Sequence, residues 1–333
     1  MQSPHDKLFQ FAFRMPRHAA AWMHGLCPTA LRAGVDWSSL QTAGERIPGG
    51  GLRAHFADAI FHAPFADGRG EVWFVIEHKS YHDPSVHWQL LQYVVHLRRG
   101  LERRRDGQDA EKEAAKSFVA LVLHHGDAGF AYDPITSGND LEVAIAPLQP
   151  RQELLVDDLT QQDDHALRAR RLTPLVTLVL LCLKNLPHLV PTRVSHAIEQ
   201  WADLMIAVDR DDDGPVGSDA IDAIGYYALA VTEVPATELS LLFSRILDRP
   251  DTTIMSTLEH TFQRGKAEGK AEGKAEGKAE GKAETLLRLL ELRFEQVADD
   301  VRQAVMSGSA EQLNSWIERV LTAKQPEDVI ADK

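Results

Sequence analysis

The stretch Phe56-Ala57-Asp58-Ala59-Ile60-Phe61, ten mostly loop-like residues, and Val72-Trp73-Phe74-Val75-Ile76-Glu77-His78-Lys79-Ser80 decide how this chain folds. The two apolar runs are rich in β-branched and aromatic residues. They predict neighbouring strands near 56–62 and 71–78, joined by a polar turn at Asp67-Gly68-Arg69-Gly70. Side chains alternate along a strand, so Glu77 and Lys79 share one face and His78 points away. If the strands are adjacent, Asp58 meets Glu77 across the pair. Two carboxylates and a lysine converging at a sheet edge make a divalent-metal site with an activating cation, the equipment of phosphodiester cleavage. The same three residues also read as a surface aspartate and a Glu–Lys pair capping a strand, because such spacing arises by chance.

Working outward, residues 5–24 predict a helix with a stripe of Leu8, Phe9, Ala12, Phe13 and Ala20. Gly49-Gly50-Gly51 after Pro48 reads as a loop; it lacks the lysine and hydroxyl of a phosphate-binding loop and receives no nucleotide role. Pro84 opens a helix running to about Arg104, with Asp83 as its N-cap. Asp106 to Lys116 is a charged connector, Phe118–His124 a buried strand and Leu141–Ile145 a further one. That order predicts a small mixed sheet flanked by helices. From about Asp157 the periodicity turns helical, with helices over 158–184, 191–208, 218–230 and 237–249. Pro187, Pro191, the turn Asp211-Asp212-Asp213-Gly214-Pro215 and Pro235 separate them.

Residues 265–284 hold five copies of Gly-Lys-Ala-Glu. Each unit is neutral and has no large apolar residue. A helix there sets Lys over Lys and Glu over Glu at i,i+4, and each glycine costs about 1 kcal/mol relative to alanine. The segment reads as a spacer, or as a self-association seam in which Ala and Gly let two helices approach. Amphipathic order returns over 285–321, predicting a small helical hairpin. The expected domains are therefore 1–155, a mixed α/β core; 156–262, a helical region packed on it; 263–284, the repeat linker; and 285–333, a small helical domain.

The 333 residues give ample chain for a real core and carry a net charge of −13, which argues at first against a polyanion partner. The charge is uneven: residues 1–155 hold 16 Lys/Arg against 18 Asp/Glu, and the remainder 20 against 31. Arg98, Arg99, Arg103, Arg104 and Arg105 face only Glu102 between them, a local basic patch suited to phosphates or to a helix C-terminus. Cys27 and Cys182 form no framework and read as buried thiols of a reducing compartment. The N-terminus lacks a basic segment followed by an apolar core, and the most apolar run, Leu175 to Leu183, is too short to cross a bilayer. A cytoplasmic protein with no membrane role is expected. Fifteen histidines show no zinc-ligand spacing.

Glu77-His78-Lys79-Ser80, Asp83-Pro84 and Gln89-Leu90-Leu91-Gln92-Tyr93 resemble the recombination-promoting nuclease family, also called YhgA-like putative transposases, within the PD-(D/E)xK nuclease superfamily. His5-Asp6-Lys7-Leu8-Phe9, Phe118-Val119-Ala120-Leu121-Val122-Leu123-His124-His125-Gly126, Ile254-Met255-Ser256-Thr257-Leu258 and the terminal repeat extend the likeness over nearly the whole chain. The resemblance implies a restriction-endonuclease-like α/β core. It also implies a Mg²⁺ site (Mn²⁺ as an alternative ion) held by Asp58, Glu77 and the His78 backbone carbonyl. Lys79 would orient or activate the attacking water and stabilise negative charge. Gln89 and Tyr93, at i and i+4 on one helix, match a Q-x-x-x-Y pattern that flanks the site and contacts DNA in some branches; they also read as the edge of a core stripe of Leu90, Val94 and Leu97. His5 and Asp6 resemble the family's N-terminal His-Asp and could reach the metal, with a helix N-cap as the other role for Asp6. Ala57 stands where a proline commonly precedes the aspartate, a minor departure because the carboxylate binds the metal.

The function expected is a Mg²⁺-dependent DNA endonuclease of low sequence specificity that aids recombination or mobile-element movement. Its partner would be DNA, with Arg98, Arg99 and Arg103 as further contacts, no small-molecule cofactor, and a homo-oligomer through the C-terminal helices as a further expectation. A DNA-binding or assembly protein with a decayed or regulated site is the second reading. A strand-transferring transposase is the third, ranked last because no third acidic residue is evident.

Overall fold

The apolar run of the opening stretch becomes the middle strand of a five-stranded sheet. The computed structural model of the chain describes residues 3–43, 57–68, 70–103, 115–131, 152–211, 217–249, 281–294, 297–306, 308–323 and 325–330. The strands are β1 (Gln41–Thr42), β2 (Ala59–Pro64), β3 (Gly70–Lys79), β4 (Ala115–His124) and β5 (Leu154–Asp158), in spatial order 1-2-3-4-5. β1, β2 and β3 pair antiparallel, whereas β3, β4 and β5 run parallel, so the fold is mixed α/β.

The β2–β3 hairpin is longer than the sequence predicts. Ala63 pairs with Val72 and Pro64 with Glu71, so residues read as loop continue the ladder. His62 looks polar but lies flat against Trp73, its cross-strand partner, with ring centroids 4.8 Å apart. The turn closes through the Phe65 N–H to the Gly70 carbonyl at 2.9 Å, and Gly68 takes the left-handed conformation at φ 71° that a side chain would resist.

Alternation divides the sheet into two differently dressed faces. Phe61, Ala63, Val72, Phe74, Ile76, Leu121 and Leu123 pack on one side with α1 (Pro4–Phe13), α2 (Pro16–Leu26) and the helices of the second half. Ile60, Trp73, Val75, Ala120 and Val122 pack on the other, against Val86, Leu90, Leu97 and Leu101 of α4 (Val86–Arg103); α3 is the short turn Thr29–Gly34. β5 lies where helical periodicity was expected to take over. Leu154-Leu155-Val156-Asp157-Asp158 does not alternate with a period of two, and pairing with β4 decides the outcome.

Proline also redraws several helices. The predicted helix 5–24 is two, because Pro16 cannot continue α1 and Met15 before it is extended. The predicted helix 158–184 is likewise α5 (Asp164–Ala169) and α6 (Pro174–Asn185), with Thr173 capping the second. The predicted helix 191–208 breaks at Trp201 into α7 (Pro191–Gln200) and α8 (Ala202–Asp209); α9 (Gly217–Val231) and α10 (Ala236–Leu247) follow. α6 is buried on every side from Leu175 to Leu183, as expected of a helix apolar all round. Among the described residues no helix is long and apolar enough to cross a membrane. Both cysteines are buried free thiols.

The chain divides into two units, one spanning Ser3–Glu259 and one containing His260–Lys333. In the second, residues 281–294 are helical and precede α12 (Asp299–Met306), α13 (Ala310–Arg319) and α14 (Pro326–Ile330), taking the 281–294 helix as α11. Ala283, Leu286, Leu290, Val301, Leu313, Trp316 and Val329 form its core, a fuller assembly than a hairpin. Gly281 to Glu284, the last repeat unit, belongs to helix rather than spacer, because Ala283 is buried in that core. Leu141–Ile145, residues 106–114 of the expected connector and residues 265–280 lie outside the described residues, whereas Ala115 and Lys116 of that connector belong to β4.

Candidate active site

The β2–β3 register pairs Ala59 with Ile76, and one further antiparallel step sets Asp58 opposite Glu77. Opposed residues of an antiparallel pair project to the same face. That face is the one covered by α4, because Asp58 alternates in phase with Ile60, and Glu77 and Lys79 with Val75. Glu77 and Lys79 meet on it: the Lys79 Nζ lies 3.1 Å from Glu77 Oε1, and the side chains of both are under a tenth exposed.

α4 contributes the next partner. Gln89 receives the Lys79 ammonium on its Oε1 at 2.9 Å and donates through Nε2 to Glu77 Oε1 at 3.0 Å and to the Tyr93 hydroxyl at 2.6 Å. One amide therefore holds the acid, the amine and the phenol of the predicted set. α4 begins at Val86, two residues after Pro84, so Asp83 is not its N-cap. Asp83 instead takes the Ser85 N–H at 2.8 Å in the preceding turn and pairs with Lys79 Nζ at 2.9 Å. Sequence reasoning missed this ion pair; the available clue was the i,i+4 spacing of Lys79 and Asp83 across a strand end.

Glu77 and Asp83 thus share one ammonium, with the Asp58 charge acting on Glu77 from nearby, and the electrostatics show the imbalance. Burial, then the neighbouring Asp58 charge, pushes Glu77 up to about 7. Burial also raises Asp58, outweighing the hydrogen bond its Oδ2 accepts from the His78 N–H at 2.8 Å. Burial opposes the charge on Lys79, but Glu77 and Asp83 prevail and hold it well above the ordinary lysine range. A buried Glu77 and a half-buried Asp58 that resist ionising together are what a cation would relieve. A strand residue's N–H and C=O point to the same edge, so the His78 carbonyl also faces the Asp58 side. Among the described residues no three His, Cys, Asp or Glu side chains gather as a metal cluster, so the available donors are two carboxylates and backbone.

On the opposite face, the His78 ring anchors the strand end. Its Nδ1 lies 3.2 Å from Asp6 Oδ1 and its Nε2 2.9 Å from His125 Nε2, and it stacks on Phe9. His5 packs against His125 and bonds the Tyr227 hydroxyl at 2.9 Å. Asp6 is the third residue of a capping box whose N-cap is Ser3, so it acts in capping and against His78 at once. Burial alone would raise its carboxyl, but bonds from His78 and Ser3 bring it down to about 2. Burial and the other histidines lower His125 to about 2, leaving it neutral.

Arg98 and Arg99 are exposed on α4, and Arg103 is its last residue. Arg104 and Arg105 lie outside the described residues.

The family described as "Putative transposase, YhgA-like" matches residues 3–214. The chain is 25% identical over 173 residues to the inactive recombination-promoting nuclease-like protein RpnE of Escherichia coli (strain K12), covering 51% of this chain and 56% of that protein. It is 22% identical over 176 residues to the recombination-promoting nuclease RpnA of the same strain, covering 51% and 57%. To the recombination-promoting nuclease RpnD of Escherichia coli O157:H7 it is 31% identical over 124 residues, covering 37% and 46%. The chain thus spans about half the length of the curated relatives it matches. No solved structure matches it. With both faces of the sheet, α4 and much of the helical half inside the matched span, the protein belongs to the YhgA-like transposase family.

Proposed function

We propose that the protein is a Mg²⁺-dependent DNA endonuclease of low sequence specificity, with a PD-(D/E)xK-type core, that promotes recombination or mobile-element movement. The observation that carries the reading is the under-neutralised pair of a half-buried Asp58 and a buried Glu77, with Glu77 on the Lys79 ammonium. The names of RpnA and RpnD as recombination-promoting nucleases support it.

Asp58, Glu77 and the His78 carbonyl would hold the ion, with Mn²⁺ as an alternative occupant. When bound, Mg²⁺ supplies Lewis acidity and neutralises negative charge. Lys79, kept protonated by Glu77 and Asp83, serves as a fixed cation for the charge that develops on the phosphate rather than as a base. Gln89 keeps the ammonium and Glu77 in register. The His78 ring, clamped by Asp6 and His125, fixes the backbone whose N–H holds Asp58.

Nicking of supercoiled plasmid tests this reading. Asp58→Ala and Lys79→Ala should each lose roughly 10²–10³-fold activity while remaining folded. Cleavage unchanged in both would refute the assignment. A second reading, a DNA-binding or assembly protein with a decayed site, draws on RpnE being named inactive. It predicts DNA binding without nicking under any divalent ion. Strand transfer, the transposase reading, predicts joined rather than merely cut products.

A further inference from the structure

The segment that follows the candidate site carries large side chains that the fold does not bury. Tyr81, two residues past Lys79, is 61% exposed, and Trp88, beside Gln89, is 42% exposed. Most tryptophan surface is normally removed from water, so an open tryptophan next in sequence to Gln89 is an informative departure. The Tyr81 ring centroid is 5.9 Å from the Lys79 Nζ, so the open ring adjoins the cation assigned to the reacting phosphate. Trp88 touches His87 edge-on at 5.5 Å and keeps much of its surface in solvent.

Helical geometry extends the surface. Trp88, Gln92, Val95 and Arg99 fall at i, i+4, i+7 and i+11 on the side of α4 opposite Leu90 and Leu97, and all four are exposed. The stripe runs about 16 Å along the helix, at about 1.5 Å per residue. It begins beside Gln89, which bonds Lys79 and Glu77, and ends in an arginine. An open Tyr81 ring near the cation, an open Trp88 ring on the helix that carries Gln89 and a positive charge at the far end match a nucleic-acid strand, whose bases stack and whose phosphates seek cations. Gln92 and Arg99 set polar and cationic groups along the stripe, which suits a phosphate backbone.

Resting on the nuclease reading above, we infer that Tyr81 and Trp88 form a stacking platform for unpaired bases flanking the scissile phosphate. The substrate class is therefore DNA with single-stranded character at the cut, such as a single strand, a gap or a frayed end. Within a duplex the ring faces are stacked on the neighbouring base pairs and offer no free face to these side chains. Stacking does not distinguish one base from another, which agrees with low sequence specificity.

Binding measured in EDTA separates this platform from cleavage. Fluorescence anisotropy would follow the full-length protein with a labelled single strand and with the same sequence as blunt duplex. Tyr81→Ala and Trp88→Ala should each weaken single-strand binding roughly 5- to 100-fold. Duplex binding should change less than about 2-fold, because the phosphate contacts remain. Both residues are exposed, so circular dichroism should show an unchanged fold; Trp88→Phe keeps a ring and should recover most of the loss. Equal loss on both substrates, no loss on either, or no single-strand binding by the wild type would each overturn the inference. Failure of plasmid nicking with the single-strand effect intact would remove the nuclease reading and leave the platform standing.

Discussion

Asp157 and Glu77 are both buried acids on parallel-paired neighbours of β4, yet they live in opposite circumstances. Asp157, fully buried on β5, accepts from Trp22 Nε1 at 2.6 Å, Gln162 Nε2 at 2.8 Å and Arg170 NH1 at 2.9 Å. Its charge is matched by one guanidinium and two neutral donors. Glu77 shares one ammonium with Asp83 and has Asp58 beside it. A buried acid completed by its own fold fastens β5 to α2. A buried acid left short of positive charge is the feature on which the proposed metal site rests.

The sharpest way to break this contrast is to remove the two acids separately. Asp157→Ala leaves Arg170 with no carboxylate partner in a buried setting and should cost about 3–5 kcal/mol by denaturant unfolding. A loss below about 1 kcal/mol would mean that the network is not a fastener. Glu77→Gln should act the other way.

In the metal-free protein Glu77 titrates near 7 against an ordinary 4.5. Between those values the folded state binds more protons than the unfolded state, so its stability falls as pH rises from about 4.5 to about 7. The loss should be on the order of 3 kcal/mol. His18, lowered to about 4 by burial, pushes the other way, losing stability as pH falls below 6.5. The difference between wild type and Glu77→Gln therefore isolates the acid, and parallel pH profiles would contradict its raised pKa. The smallest effect belongs to the exposed stripe: Arg99→Ala should leave stability within about 0.5 kcal/mol and reduce the salt slope of DNA binding by about 1.

Much of the site was legible because its residues sit two apart on a strand or four apart on a helix. Asp58, Glu77 and Lys79 follow from alternation, and Gln89 with Tyr93 from helical spacing. The distant partners were not legible. His5 meets Tyr227 across 222 positions and His78 meets His125 across 47, distances no periodicity reports. Asp83 looked like a helix cap because Pro84 follows it, and only the turn at Ser85 brings it onto Lys79. In the fold, β2, β3 and β4 were readable from β-branched and aromatic runs. β5 was hidden because its residues do not alternate, and the helix breaks fall at Pro16 and ahead of Pro174, inside otherwise helical patterns.

The most direct test of the central claim is thermal unfolding against Mg²⁺ concentration in wild type and Glu77→Gln. If Asp58 and Glu77 seat the ion, the wild type should gain about 2.7 kcal/mol at a hundredfold excess over the dissociation constant, with little gain in the variant. Equal gains in both proteins, or none in the wild type, would contradict the account.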